Sequence, residues 1–217
     1  MNDSGHWSLG EDWIDGPAKP DPVQWAERNH AISLCYQAQW GCGAELRLCN
    51  GVLLTRGRAG FPSAPCNVGM SLTNADGEAV LATAADYFAT HKQGFSLYVR
   101  AERDEDVERQ CRARGFVLCA DLPVMLLEGG PSPVTASKVV ELRLATTPDD
   151  VRTFARLAAD SYATSDVPAP VVLDAFDATE RILASSARLF LAYAKGFLVG
   201  CAMLLVEAEV AGVYWVA

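Results

Sequence analysis

Cysteine and histidine are the side chains of this chain that could bind a metal ion or act as nucleophiles. There are seven cysteines and three histidines, at Cys35, Cys42, Cys49, Cys66, Cys111, Cys119, Cys201, His6, His30 and His91. No two cysteines have the C-x-x-C spacing, and no histidine lies at a zinc-ligand spacing from a cysteine. Since a reduced cysteine behaves as a small hydrophobic residue, we expect buried free thiols and no metal site.

Two further groups of side chains could form a binding site. Tyr162, Tyr193, Tyr214 and Trp215 could line a pocket for an acceptor, although aromatic residues on strands more often belong to a core. Five arginines between residues 100 and 114 could bind an anion. Acidic residues alternate with them, however, and this pattern favours a solvated helix face.

The composition excludes several classes of protein. The chain has 217 residues, of which 50% are hydrophobic, so it can bury a substantial core. Its formal charge of −9 argues against non-specific binding of nucleic acid. The longest apolar runs, 189–206 and 210–217, are interrupted by Lys195 and bounded by acidic residues, whereas a membrane span needs about 20 apolar residues. Residues 1–4 lack the features of a signal peptide, so we expect a soluble, cytoplasmic protein with no membrane partner.

The first 128 residues are expected to form an irregular arm and one α+β unit. Residues 1–22 are rich in glycine and proline, which predicts an irregular arm. A helix over 23–39 is predicted because Asp21 can cap it and Pro22 suits its first turn. The remaining pattern predicts strands at 44–56 (a hairpin turning at Asn50-Gly51), 66–72, 95–99 and 116–127, and helices at 77–92 and 104–114. These elements assign residues 23–128 to one unit.

A linker and a second unit follow. Residues 129–137 begin with Gly-Gly-Pro-Ser-Pro, which is typical of a linker. In residues 138–217, Thr147 and Pro148 mark a helix start. The pattern predicts strands at 139–144, 189–194, 197–207 and 210–217, and helices at 149–162 and 172–184. Both units therefore belong to the α+β class, with mixed α/β sheets.

The order of elements in residues 139–217 resembles the N-terminal half of the GNAT (GCN5-related N-acetyltransferase) fold. The segments that carry this likeness are 141–145, 190–193, 200–203 and 212–217. Residues 66–128 are similar to the complementary half, through the segments 95–100, 115–116 and 123–125. The resemblance implies a tandem GNAT protein, in which 23–128 is a degenerate lobe and 138–217 is the N-terminal half of a second lobe.

This resemblance implies acetyl-CoA as the cofactor and a primary amine as the acceptor. In the family, the pyrophosphate binds a loop with glycine and arginine at a helix start, where free N–H groups and the helix dipole favour an anion. The matching segment of the first unit, 73–78, instead contains Asp76 and Glu78, which would repel a polyanion. In the second unit the matching loop would follow Ala217. We therefore expect the second lobe to be truncated before this loop, and the given chain to be inactive.

The resemblance assigns cofactor contacts only to the end of the last strand. The backbone of Tyr214, Trp215, Val216 and Ala217 is expected to contact the pantetheine arm. The tyrosine that often serves the family as general acid would lie after Ala217, so no catalytic residue is assigned. Two carboxylates, Glu207 and Glu209, flank the strand and could include a general base. The composition of this segment favours a polar turn instead.

Two functions stay open at this point. The first is acetyl transfer to a primary amine of a small molecule or a peptide. The second is a non-catalytic GNAT-like remnant that serves packing, dimerisation or another interaction. The strand 210–217 is expected to have an exposed edge, which could pair with a strand of the first unit or with a second copy of the chain in a homodimer.

Overall fold

The computed structural model describes residues 21–41, 44–57, 67–101, 103–127, 129, 139–207 and 210–217. Most of the predicted arm and of the predicted linker lies outside these residues. The chain divides into two compact units. The described part of unit 1 lies within 44–125, and that of unit 2 comprises 21–41 together with residues from 126 onwards.

Unit 1 contains a four-stranded mixed sheet. Its strands are β1 (Glu45–Cys49), β2 (Val52–Arg56), β3 (Val68–Ser71) and β4 (Ser96–Tyr98), in that order across the sheet. The pairs β1–β2 and β2–β3 are antiparallel, and the pair β3–β4 is parallel. The predicted hairpin is confirmed, since Asn50 and Gly51 have φ values of 51° and 72° at the turn between β1 and β2.

Two helices complete unit 1. Helix α2 (Gly77–Thr90) connects β3 to β4, and α3 (Glu105–Ala113) follows β4. The core lies between the sheet and these helices and consists of Val52, Leu54, Val80, Leu81, Ala84, Tyr87, Phe88, Val107 and Cys111. Burial of these side chains holds the start of α2 in place, at the position where the family resemblance locates a phosphate loop.

Unit 2 contains a four-stranded antiparallel sheet. Its strands are β5 (Val140–Leu144), β6 (Ala187–Ala194), β7 (Phe197–Glu207) and β8 (Val210–Tyr214), again in sequence order. Between β5 and β6 lie α4 (Pro148–Tyr162), α5 (Ala169–Ala175) and α6 (Thr179–Ala184). Side chains alternate along a strand, so Leu189, Leu191, Met203 and Leu205 share one buried face of the sheet.

The N-terminal helix belongs to unit 2. Helix α1 (Pro22–Trp40) begins with a capping box between Asp21 and Gln24. The ring of Trp40 lies 6.2 Å from that of Phe176, and its carbonyl oxygen accepts a hydrogen bond from the N–H of Ala178 at 2.9 Å. The packing therefore groups α1 with residues after 126, whereas the sequence pattern grouped it with the residues that follow it directly.

Two predicted elements differ from the structure. Residues 116–127 form no strand: most of their large apolar side chains are exposed, and no described strand pairs with them. The single helix predicted over 172–184 is two helices, α5 and α6. The break between them places Phe176 in the core, 5.2 Å from the ring of Phe154, so burial of an aromatic ring outweighs a continuous helix here. No helix in the described part of the chain is long and apolar enough to span a membrane.

Candidate functional site

The strand predicted to contact a cofactor ends in a β-bulge. Tyr214 lies opposite Met203 of β7. Further along, Ala217 and Cys201 exchange two backbone hydrogen bonds of 2.8 and 3.0 Å. Between these two pairs, β7 has one residue and the last strand has two, which is the pattern of a bulge. The first of the two, Trp215, has a φ of 51°, a left-handed conformation that is rare for a bulky side chain.

One side of β8 has no strand neighbour, because β8 lies at the end of the sheet order among the described strands. Hydrogen-bonded pairs alternate along an antiparallel ladder, and the pair Cys201–Ala217 is one of them. The same alternation directs the N–H and C=O groups of Ala211 and Val213 away from β7. Val213 is 61% exposed. These peptide groups therefore have no partner among the described strands.

The side chain of Trp215 is held by three neighbours. The rings of Tyr162 and Phe176 meet the indole edge to face, with centroids 5.0 and 5.1 Å away. The indole Nε1–H donates to the Oε1 of Gln37 at 2.8 Å. A left-handed non-glycine residue costs about 1–2 kcal/mol, and these contacts offset that cost.

The side chain of Tyr214 is directed towards α1. Its hydroxyl donates to the Oδ1 of Asn29 at 2.6 Å, and its ring stacks on His30 with centroids 6.1 Å apart. Burial raises the pKa of Tyr214 to about 12, and a hydrogen bond with Ser33 partly opposes that rise. Burial also lowers the pKa of His30. At neutral pH the phenol is therefore a neutral hydrogen-bond donor.

Asn29 also connects the last two strands to α1. Its Nδ2 donates to the carbonyl oxygens of Leu205 and Val210, at 3.5 and 3.3 Å. This approach requires a glycine at position 212, because a Cβ there would overlap the Oδ1 of Asn29 and the ring of Tyr214. The amide of Asn29 thus bonds to β7, to β8 and to the Tyr214 hydroxyl.

The structure brings all four predicted residues, Tyr214 to Ala217, together at the bulge. Their supports on α1, which are Asn29, Ser33 and Gln37, were not predicted from the sequence. These three residues are buried, with 2%, 0% and 7% of their surfaces exposed. They lie at i, i+4 and i+8 on one helix face, and such a polar stripe among apolar positions is the signal that could have found them.

The other candidate residues lie elsewhere. Glu207 ends β7 opposite Val210, about 13 Å along the strand from Tyr214 at the usual rise per residue. The position of Glu207 at the end of β7 fits a polar turn between two strands better than a general base at the bulge. Glu209 lies outside the described residues. Tyr193 packs against the guanidinium of Arg143, 4.4 Å from the ring centroid, and not against Trp215.

A surface depression of about 470 Å³ lies at the hairpin between β6 and β7. It is lined by Val139, Val140, Glu141, Tyr193, Lys195 and Gly196. None of the four predicted cofactor-contacting residues lines it. The depression therefore does not coincide with the candidate site at the bulge.

In unit 1, carboxylates occupy the helix start at which the family resemblance places a phosphate loop. Asp76 caps α2 and accepts from the N–H of Ala79 at 3.0 Å. Asp106, in the first turn of α3, accepts from the N–H of Gly77 through its Oδ2 at 2.7 Å. These N–H groups are the ones that a pyrophosphate would need, so the loop cannot bind one without displacing both carboxylates.

Four of the arginines between 100 and 114 form ion pairs within unit 1. The pairs are Arg100–Asp104, Arg109–Asp106, Arg112–Glu108 and Arg114–Glu78. The last three involve exposed or partly exposed side chains on and beside α3. The prediction of a charged, solvated helix face is confirmed for them.

The described thiols are all free, as predicted, but not all are buried. Cys35, Cys111 and Cys201 are buried, and burial raises the pKa of Cys35 to about 12 and that of Cys201 to about 11. Cys119 is exposed, because it belongs to the segment 116–127 that forms no strand. No cluster of three potential metal-ligating side chains occurs among the residues that the structure describes.

A solved structure with a similar fold is a GCN5-related N-acetyltransferase from Kribbella flavida. The two structures superpose with a TM-score of 0.50 at 13% sequence identity, over 88% of this chain and 71% of that one. No family model and no curated protein matches the chain. At this identity the likeness establishes the fold alone, and it confirms the prediction of a GNAT-like α+β fold.

Proposed function

We propose that unit 2 contains the acyl-transfer strand of a GNAT-like protein, and that the free edge of residues 211–217 binds the pantetheine arm of acetyl-CoA. The observation that carries this proposal is the bulge at Trp215 on a strand with an unpaired edge. The peptide groups of Ala211 and Val213 face that edge. They can bond to the amides of the pantetheine arm in the way that a strand pairs with an added strand.

The bulge gives this edge a second role. Acetyl-CoA supplies a thioester, whose carbonyl carbon an uncharged primary amine would attack. A C–N bond forms while the C–S bond breaks, and the thiolate of CoA leaves and takes up the proton that the nitrogen loses. A bulge leaves one peptide group out of the regular ladder. A backbone N–H that is fixed in advance and directed at the carbonyl oxygen stabilises the charge that develops there. We assign no general base, since Glu207 ends β7 opposite Val210, about 13 Å along the strand from Tyr214.

The described residues do not fit the nucleotide end of the cofactor in the same way. The four long helices all begin with carboxylates: Asp21 caps α1, Asp76 caps α2, Glu105 and Asp106 open α3, and Asp150 closes the capping box of α4. A negative charge at a helix start uses the helix dipole and repels a second anion. We therefore propose that the affinity of this chain comes from the pantetheine arm, and that its acetyl transfer to amines is slow or absent.

A second function is supported by the occupied helix start in unit 1. Gly77 and Ala79 donate to carboxylates of the same unit, as a structural helix junction would require. On this alternative, the chain is a non-catalytic GNAT-like module that associates through the free edge of β8, including in a homodimer. Analytical ultracentrifugation would then detect a dimer that the Val213→Pro variant dissociates, because proline removes the N–H that the edge presents.

Calorimetric titration with acetyl-CoA and with S-acetylpantetheine distinguishes the two functions. We expect both to bind with similar affinity, since the nucleotide contributes nothing. Val213→Pro should weaken both by up to about tenfold, which corresponds to one hydrogen bond, whereas the matched control Val213→Ala should not. Acetyl-CoA binding more than about tenfold tighter than S-acetylpantetheine would contradict the absence of a pyrophosphate site. Binding of neither compound would favour the non-catalytic module.

A further inference from the structure

We infer that the polar stripe of α1, formed by Asn29, Ser33 and Gln37, positions the bulged end of β8, so that a helix over 170 residues away in sequence determines the geometry of the candidate site. The role of this stripe in ligand binding rests on the proposed function. Its effect on the conformation of the strand does not.

The first observation is that the three stripe residues are polar although they are buried. Burying amide and hydroxyl groups is unfavourable unless they are hydrogen-bonded, and apolar side chains would fill the same space without that requirement. Here the amides of Asn29 and Gln37 bond to the last two strands, while the Ser33 hydroxyl donates to the carbonyl oxygen of His30 within α1. Asn29 bonds to Tyr214, Leu205 and Val210, and Gln37 bonds to Trp215. Because hydrogen bonds are directional, these contacts select one position of the strand where packing alone would accept several.

The conformation of Trp215 is the second argument. A tryptophan with φ of 51° has no local reason to adopt the left-handed region. Its indole donates a hydrogen bond to Gln37 of α1. It also packs against Tyr162 of α4 and against Phe176, which lies between α5 and α6. Loss of the hydrogen bond to Gln37 would therefore leave the orientation of the indole fixed by ring packing alone.

The close approach at Gly212 is the third argument. Only a residue without a Cβ lets the Asn29 amide reach the carbonyl oxygens of both strands. Asn29 and Gln37, two helical turns apart, therefore hold β8 at two points that flank Val213. In this account Asn29 and Gln37 are positioning residues, since neither is proposed to touch a ligand.

Hydrogen exchange measured by NMR on the full chain tests the inference. The backbone N–H groups of Ala217 and Cys201 each donate to the carbonyl oxygen of the other residue, beside the bulge. In the Gln37→Ala variant these two amides should exchange at least about tenfold faster, because the hydrogen bond between Gln37 and the Trp215 indole is lost. The amides of Leu189 and Leu191, on the side of β6 that faces β5, should be unchanged. The indole N–H signal of Trp215, identified with Trp215→Phe, should shift.

The control is Gln39→Ala, which removes an amide side chain from the same helix at a position without a described hydrogen bond to β8. Equal exchange rates in Gln37→Ala and wild type, or equal acceleration in Gln37→Ala and Gln39→Ala, would overturn the inference. Titration with S-acetylpantetheine then tests its link to function: Gln37→Ala should bind several-fold more weakly. If the wild type does not bind at all, the proposed function fails, and the exchange data still decide whether α1 positions the strand.

Discussion

Replacement of Asp106 by alanine tests whether unit 1 uses its own carboxylates where a phosphate would bind. The Oδ2 of Asp106 accepts from the N–H of Gly77 at 2.7 Å, at the start of α2. Loss of a carboxylate that caps a helix start costs about 0.5–2 kcal/mol, and its interaction with the helix dipole contributes about 0.3–1 kcal/mol. The ion pair with Arg109 is largely exposed and adds little. We expect a total loss of about 1–2 kcal/mol in the free energy of unfolding.

Urea unfolding followed by circular dichroism measures this loss, and amide exchange at Gly77 localises it. Glu105→Ala is the matched control, because it removes the same charge from the same turn of α3 without a described bond to α2. Millimolar inorganic pyrophosphate should leave the wild-type midpoint unchanged. Equal stability of Asp106→Ala and wild type, or a wild type that pyrophosphate stabilises, would refute the reasoning that this helix start is already occupied.

Three further predictions concern unit 2. Phe154→Ala should lower the free energy of unfolding by about 3–5 kcal/mol, since Phe154 is fully buried against Phe176. Urea unfolding followed by tryptophan fluorescence measures this loss, and a loss below about 1 kcal/mol would contradict the assigned core. Thr147→Ala should cost about 1 kcal/mol because it removes the capping box of α4, and the same assay should show no such loss for Thr164→Ala. Alkaline pH should destabilise the protein, since burial raises the folded-state pKa of Cys201 to about 11 and that of Tyr214 to about 12. The stability that these two protonated groups contribute is complete below their ordinary pKa values and is lost as the pH rises through the two folded-state values. Tyr214→Phe should therefore reduce the slope of the free energy of unfolding against pH.

Local signals in the sequence predicted most of the elements. Asp21 and Pro22 mark the start of α1, Thr147 and Pro148 mark that of α4, and the turns at Asn50-Gly51 and Lys195-Gly196 connect strands as expected. Each of these signals acts within a few residues of the element that it limits. For that reason a single sequence is sufficient to recognise them.

Long-range packing explains what the sequence did not reveal. The bonds from Asn29 and Gln37 to the strand end connect residues 185 and 178 positions apart, and no local pattern records such a contact. The bulge was equally hidden, because tryptophan does not favour a positive φ. The break between α5 and α6 arises from the burial of Phe176, which outweighs the helix propensity of that segment.

An NMR titration of the ¹⁵N-labelled chain with S-acetylpantetheine tests the central claim most directly. If the free edge of β8 binds the pantetheine arm, the amide signals of Ala211, Val213 and Val216 shift with one common saturation curve, and those of Gly77 and Ala79 do not move. Shifts at Gly77 and Ala79 without shifts at β8, or no shift at any amide, would contradict the claim.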